Sequence, residues 1–232
     1  MGGDLKACKL FFVYGFLGAF ALCVGSHTEA SAQDLPASLE TWETDDLLES
    51  SDFYSLGSSC QQATKEQLRE VNRGNALKDE FLEECARETR NSPWCAQLVR
   101  PNPASVSKFR CTYGKQQPHT LINPNRATWK NAFKAVELVE DLERRGMRTC
   151  QIYNWWRPEP YNRNVGGAAG RHPFGTSVDV RFCSMDEMED AFRELCRFRE
   201  QGRLRAIGYY GSTGLHFGIG DKTANTWGKS CP

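Results

Sequence analysis

The chain lacks net charge, because Lys plus Arg and Asp plus Glu number 29 each over its 232 residues. That balance excludes a global field drawing it to nucleic acid or to an anionic membrane, so electrostatics names no partner. It also lacks any Cys-x-x-Cys pair, the spacing that would suggest a structural zinc ribbon or a redox site. Histidine is scarce, at four residues. The apolar run from Leu10 to Val24 falls short of the roughly 20 residues a bilayer-spanning helix requires.

Cysteine is plentiful by contrast, with ten residues. Lys6 and Lys9 precede the apolar run and Ala30-Ser31-Ala32 follows it, the layout of a signal peptide over residues 1–32 cut before Gln33, rather than of an uncleaved anchor. The bulky Leu22 argues against a lipid anchor at Cys23. Cleavage removes Cys8 and Cys23 and leaves eight cysteines: Cys60, Cys85, Cys95, Cys111, Cys150, Cys183, Cys196 and Cys231. An even number in an exported chain suits an oxidising compartment, periplasmic or extracellular, and a disulfide framework. The pairing is not fixed by spacing. A Cys111–Cys231 bond stapling the start of the main domain to its end is one expectation. No stable membrane insertion is expected after cleavage.

Residues 33–63 are acidic and Ser-rich, with Glu40, Glu43, Asp45, Asp46 and Glu49 around a few leucines, and read as a flexible leader. From Thr64 a helical pattern begins: Leu68, Val71, Leu77, Phe81, Leu82 and Cys85, interrupted by Gly74 and ended by Pro93, Pro101 and Pro103. Residues 64–108 are therefore expected as a small disulfide-linked helical region, and 109–232 as the main domain. In the latter, Ala127 to Arg145 carries one apolar stripe of Trp129, Ala132, Phe133, Val136, Val139 and Leu142, with Gly146 at the expected C-cap. Strands are expected over 149–155, 178–182, 204–210 and 215–219, with a helix over 185–201 closed by Gly202. The order helix, strand, strand, helix, strand, strand predicts an α+β fold: a small, mostly antiparallel sheet with helices packed on one side and an N-terminal helical extension.

Signal cleavage also removes His27, leaving His119, His172 and His216. His119 follows Gln116-Gln117-Pro118 and is expected on the surface. His172 opens His172-Pro173-Phe174-Gly175-Thr176-Ser177-Val178-Asp179, where a glycine bend can turn the chain so that a strand brings Asp179 back toward the imidazole. His216 lies in Gly214-Leu215-His216-Phe217-Gly218-Ile219, whose glycines permit close approach. Imidazole nitrogen and carboxylate oxygen suit a divalent metal, and three protein ligands leave a coordination position for chemistry. Spacing alone carries this only part of the way, since a histidine beside an apolar strand is more often a hydrogen-bonded core residue. Tyr153, Trp155, Trp156, Tyr161, Tyr209 and Tyr210 form an aromatic set expected in the core more than in a groove.

The run from Tyr153 to Asp179 contains Arg157-Pro158-Glu159, Tyr161-Asn162, Val165-Gly166-Gly167-Ala168, His172 and Asp179, and Ile207-Gly208-Tyr209-Tyr210 precedes His216. This pattern resembles the D-alanyl-D-alanine carboxypeptidase family of zinc peptidases, whose fold is hedgehog-like. The resemblance covers roughly residues 109 to 230. It implies one Zn²⁺ held by His172, Asp179 and His216, peptidoglycan stem peptides as substrate, and Arg157 as the group that holds a substrate carboxylate or polarises the scissile carbonyl. The implied reaction is zinc-assisted peptide hydrolysis. The chain departs from the family where an acid is wanted: Thr213 stands three residues before His216 and Gly218 two residues after it. Gly170 and Ser177 are milder departures. Glu159 and Asp221 are the acids nearest in sequence that could substitute, leaving the general base unassigned. The same residues are compatible with a zinc-bearing binding module that has lost catalysis.

Overall fold

The computed structural model describes residues 60–115 and 119–232. The signal peptide and the leader as far as residue 59 lie outside the described residues. The elements follow the order α1 (Lys65–Asn75), α2 (Lys78–Glu88), α3 (Cys95–Leu98), α4 (Val106–Tyr113), α5 (Trp129–Arg144), β1 (Thr149–Asn154), α6 (Tyr161–Asn164), β2 (Ser177–Phe182), α7 (Met185–Glu200), β3 (Ala206–Tyr209), β4 (Gly214–Gly218) and β5 (Thr226–Trp227). The fold is α+β, as expected. Its sheet has the order β1-β2-β4-β3-β5. Every pairing is antiparallel except the last, in which β5 runs parallel to β3. The two-residue β5 has no alternating apolar pattern and was not expected.

Alternation along the central strands separates two faces. Val178, Val180 and Phe182 of β2, and Leu215 and Phe217 of β4, belong to the buried core, which α5 and α7 cover from their apolar stripes. The opposite face carries Ser177, Asp179 and Arg181 from β2 and Gly214, His216 and Gly218 from β4. Apolar residues on one face are an ordinary half-sheet signal; buried polar residues on the other are not.

The helical segment before residue 109 shares one hydrophobic core with residues 109–232. Thr64 starts α1 with a capping box: its hydroxyl accepts from the Gln67 amide and the Gln67 side chain accepts from the Thr64 amide. In α2, Phe81 is fully buried, stacks on Trp155 with ring centroids 4.9 Å apart, and meets Trp129 edge-on at 5.2 Å. Trp155 is thereby packed from behind by the N-terminal helices, and its own backbone carbonyl is free to serve the site.

All eight cysteines among the described residues are paired, as Cys60–Cys111, Cys85–Cys95, Cys150–Cys183 and Cys196–Cys231. The expected Cys111–Cys231 staple is therefore wrong. Cys111, on α4, lies beside the chain entering α1, where the Ala63 amide also donates to the Thr112 carbonyl, whereas Cys231 is bound to α7. Shorter crosslinks replace the long one: Cys85–Cys95 joins α2 to α3, and the other three each tie a loop or terminal segment to a helix or strand. Cys196–Cys231 holds the tail that carries β5. Four disulfides fit a protein of an oxidising, extracytoplasmic compartment. Among the described residues no helix is long and apolar enough to cross a membrane.

Gly74 is required by a close approach rather than by a turn: a Cβ there would lie 1.8 Å from the Ile122 carbonyl oxygen. In an ordinary helix, Gly→Ala stabilises by about 0.5–1 kcal/mol. Here the sign reverses, and Gly74→Ala is expected to destabilise by roughly 1–3 kcal/mol through overpacking, which urea unfolding of the oxidised protein measures. A gain in stability would mean that α1 can move off the 121–124 segment without loss.

Candidate metal centre

Strand register assembles the site. Asn154 of β1 pairs with Asp179 of β2, Asp179 with His216 of β4, His216 with Gly208 of β3, and Gly208 with Trp227 of β5. These five residues form one row across the whole sheet, on the face opposite the apolar core. His172 joins from outside the sheet, in a short 3-10 turn over His172–Phe174 that ends at Gly175. Gly175 adopts φ 63°, a left-handed conformation that glycine accommodates without strain and that turns the chain into β2. The bend expected between His172 and Asp179 is thus present.

His172, Asp179 and His216 are all buried and offer ligand atoms within 4.8 Å of one another, a group able to hold a metal ion. His172 Nδ1 is 2.7 Å from the Trp155 carbonyl oxygen, which can only accept, so Nδ1 carries the proton. His172 Nε2 then presents a bare lone pair. It lies 3.2 Å from Asp179 Oδ2 and makes no hydrogen bond. Two electron-pair donors facing each other in a buried site lack only a cation between them. His216 Nδ1 lies 2.9 Å from Asp179 Oδ1. The donor set fits a divalent ion such as zinc, and the three convergent atoms are His172 Nε2, an Asp179 oxygen and His216 Nδ1.

Neighbours hold the carboxylate still. Asn154 Nδ2 donates to Asp179 Oδ2 at 3.0 Å and the Tyr210 hydroxyl donates to Oδ1 at 3.0 Å. Burial works to raise the Asp179 carboxyl, but its interactions with His172 and then His216 hold it well below the usual carboxylate range. For His172, burial, followed by the charge of Arg157, pushes the imidazole down to about 4. Burial pushes His216 the same way, yet Asp179 and then Asp221 outweigh it and raise the imidazole above its ordinary value. The difference is positional: His172 faces one carboxylate and an arginine, whereas His216 lies between two carboxylates.

A cavity of about 250 Å³ opens over the triad. Arg157, Arg171 and Arg181 contribute to its wall, together with Tyr153, Tyr210, Ser212 and the 165–168 segment. Arg157 is 7% exposed, stands 4.0 Å from Asp179 Oδ2, and its Nε makes no hydrogen bond. Among the described residues Asp179 is the one carboxylate lining this cavity. Neither acid considered as a substitute base reaches it. Glu159 accepts from Asn162 Nδ2 and from the Arg163 amide. Asp221 is buried on the far nitrogen of His216. Thr213 enters β4 with its carbonyl accepting from the Phe182 amide.

Of the aromatic set, Trp155, Trp156 and Tyr161 are core, as expected, while Tyr153 and Tyr210 line the cavity. Tyr209 packs on Phe192. His119 is exposed and touches Phe109, away from the site. Sequence reasoning missed Asn154, Tyr210 and Trp227 as parts of the centre. Asn154 and Tyr210 lie at the ends of the expected strands, and only cross-strand register could have placed them beside Asp179.

No family model, curated protein or solved structure matches the chain. The likeness to zinc peptidases rests on the residues themselves.

Each ligand is expected to be indispensable. The oxidised protein should hold one metal ion per chain after dialysis, and His172→Ala, Asp179→Ala and His216→Ala should each hold none, as read by elemental analysis. Retention of the ion by any one folded variant would remove that residue from the ligand set.

Proposed function

We propose that the chain is an exported, zinc-dependent peptidase that hydrolyses peptidoglycan stem peptides, with His172, Asp179 and His216 as the zinc ligands. The observation that carries this reading is the convergence of the three residues at a buried site under a cavity lined by arginines, in the order and spacing of the zinc peptidases that residues 153–218 resemble. The signal-like N-terminal sequence and the disulfides support a periplasmic or extracellular setting, where such peptides occur. The hedgehog-like assignment of the fold belongs to the same reading.

Zinc, when bound, would supply a Lewis acid that polarises a carbonyl and activates water near neutral pH. The chain's own residues have separable tasks. Arg157 holds the terminal carboxylate of a peptide or stabilises negative charge at the scissile carbonyl, a role supported by its place in the cavity wall next to Asp179. Tyr210 remains a hydrogen-bond donor, because burial and then the Asp179 charge raise its hydroxyl well above the ordinary range. The Trp155 carbonyl fixes the His172 tautomer. Asn154 and Tyr210 keep both Asp179 oxygens aimed at the histidines.

One observation favours a second reading, a zinc-bearing binding module that grips anionic peptide ends without cutting them. Among the described residues no second carboxylate lines the cavity to take and return the proton of water. General acid-base help typically contributes roughly 10²–10⁴ in rate, so turnover that much slower than in a peptidase with a dedicated acid is expected even if the chain cleaves.

Metal content and muropeptide cleavage measured together, with His216→Ala as control, separate the readings. Zinc with cleavage that the variant lacks supports the peptidase, zinc without cleavage supports the binding module, and absence of zinc overturns both. Within the peptidase reading, Arg157→Ala should keep its zinc and lose about 10²–10³ in kcat/KM, the usual loss for one oxyanion-stabilising donor. Arg157→Lys should not restore the rate, because an ammonium cannot reproduce the planar fork of a guanidinium. Loss of zinc in Arg157→Ala would show that this residue's role is misplaced.

A further inference from the structure

Behind the metal-facing edge of His216 lies a second buried cluster that the proposed chemistry does not use. Asp221 is 1% exposed, and its Oδ2 faces His216 Nε2 at 3.5 Å. Neither atom makes a hydrogen bond to anything else. The other oxygen is held in a fixed direction: the Thr176 hydroxyl donates to Oδ1 at 2.9 Å. Arg171 approaches Oδ2 with Nε at 3.3 Å and lays its guanidinium over the Trp227 ring at 3.6 Å. Trp227 in turn packs against the His216 ring, centroids 4.9 Å apart. The imidazole is thus gripped on its face by an indole and at its rear nitrogen by a carboxylate.

Two glycines make room for this grip. At Gly218, a Cβ would lie 2.6 Å from Asp221 Oδ2, so the carboxylate occupies the space that a side chain two residues after His216 would need. At Gly208, a Cβ would lie 2.2 Å from the Trp227 ring. The backbone has been cleared at both points for groups that touch His216.

We propose that Asp221 is a positioning residue for the metal: it accepts the Nε2 proton of His216, fixes that tautomer, and so presents the Nδ1 lone pair to the ion beside Asp179. Thr176 and Arg171 orient and balance the carboxylate. The arrangement is a carboxylate–histidine–metal relay of the kind whose outer member tunes ligand basicity and orientation. It accounts for why an acid close to the site in sequence does not face the cavity, and it rests on the metal-binding part of the proposed function.

The test is zinc affinity, by competition with a chromophoric chelator, together with the ¹⁵N signature of the His216 ring in the zinc-loaded protein. Wild type should show a protonated Nε2. Asp221→Asn, which can turn an amide donor toward the ring, should bind zinc about 10–100-fold more weakly, the range usual for loss of an outer partner. Thr176→Val, which removes the group aiming Asp221 but leaves its charge, should weaken zinc binding in the same direction and by less; it decides the matter if Asp221→Asn does not fold. Unchanged affinity in a folded Asp221→Asn, or in Thr176→Val alone where the former fails, would overturn the proposal while leaving the metal site intact. Wild type that binds no zinc overturns both.

Discussion

The site depends on one constraint, the register of β2 against β4, which sets Asp179 opposite His216. Side chains alternate along a strand, so a slip of one residue would send Asp179 into the apolar core and bring Val178 or Val180 to the site. That core is what forbids the slip. Val178, Val180, Leu215 and Phe217 are fully buried against the helices, and a shifted strand would expose them while burying a charge with no partner. Burial of an apolar side chain of this size is worth about 1.5–3 kcal/mol, so four together outweigh any local preference of the polar residues. The hydrophobic face holds the chemical face in place.

The row crossing the sheet then divides the labour. Asn154 and Asp179 on one side of His216, and Gly208 and Trp227 on the other, place polar support next to the carboxylate and an apolar wall next to the imidazole. A buried carboxylate costs on the order of several kcal/mol unless it is paired and hydrogen-bonded, against a total stability of roughly 5–15 kcal/mol for a domain. Asp179 meets that cost with contacts to Asn154, Tyr210 and both histidines. The lone pair of His172 Nε2 stays unpaired, and this remaining imbalance is the chemical argument for a cation. The disulfide Cys196–Cys231 contributes at a distance, since it anchors the tail whose Trp227 closes the row.

Much of this was legible in the sequence for definite reasons. The apolar stripe of α5, the glycine after α7 and the alternation in β2 and β4 are local signals, and all four strands read from them are present within a few residues. The triad was legible only in part from its members' places in those strands and at the glycine bend that feeds β2, and otherwise from the resemblance of residues 153–218 to zinc peptidases. What was hidden is non-local. Cysteine spacing carries no geometry, so the pairing of Cys111 with Cys60 rather than Cys231 could come only from where α4 lies. Trp227 was hidden because β5 is two residues long and owes its position to a disulfide and to a missing Cβ at Gly208. Asp221 could be seen in the sequence but not placed, since a Gly-rich connection leaves its direction open.

Gly218 and Asp221 are best understood together. Read along the chain, Gly218 stands where the zinc peptidases that the sequence resembles often carry an acid. Read in space, the carboxylate of Asp221 fills the volume beside Gly218, so the acid near His216 comes from the connection after β4 and not from the strand itself. There it meets Nε2 of the imidazole, behind the ring, and does not line the cavity. These residues form a centre able to hold a metal ion beneath a cavity walled in part by arginines, and among the described residues no carboxylate besides Asp179 lines that cavity. The two readings of function therefore share every residue of the binding apparatus and part only at proton transfer.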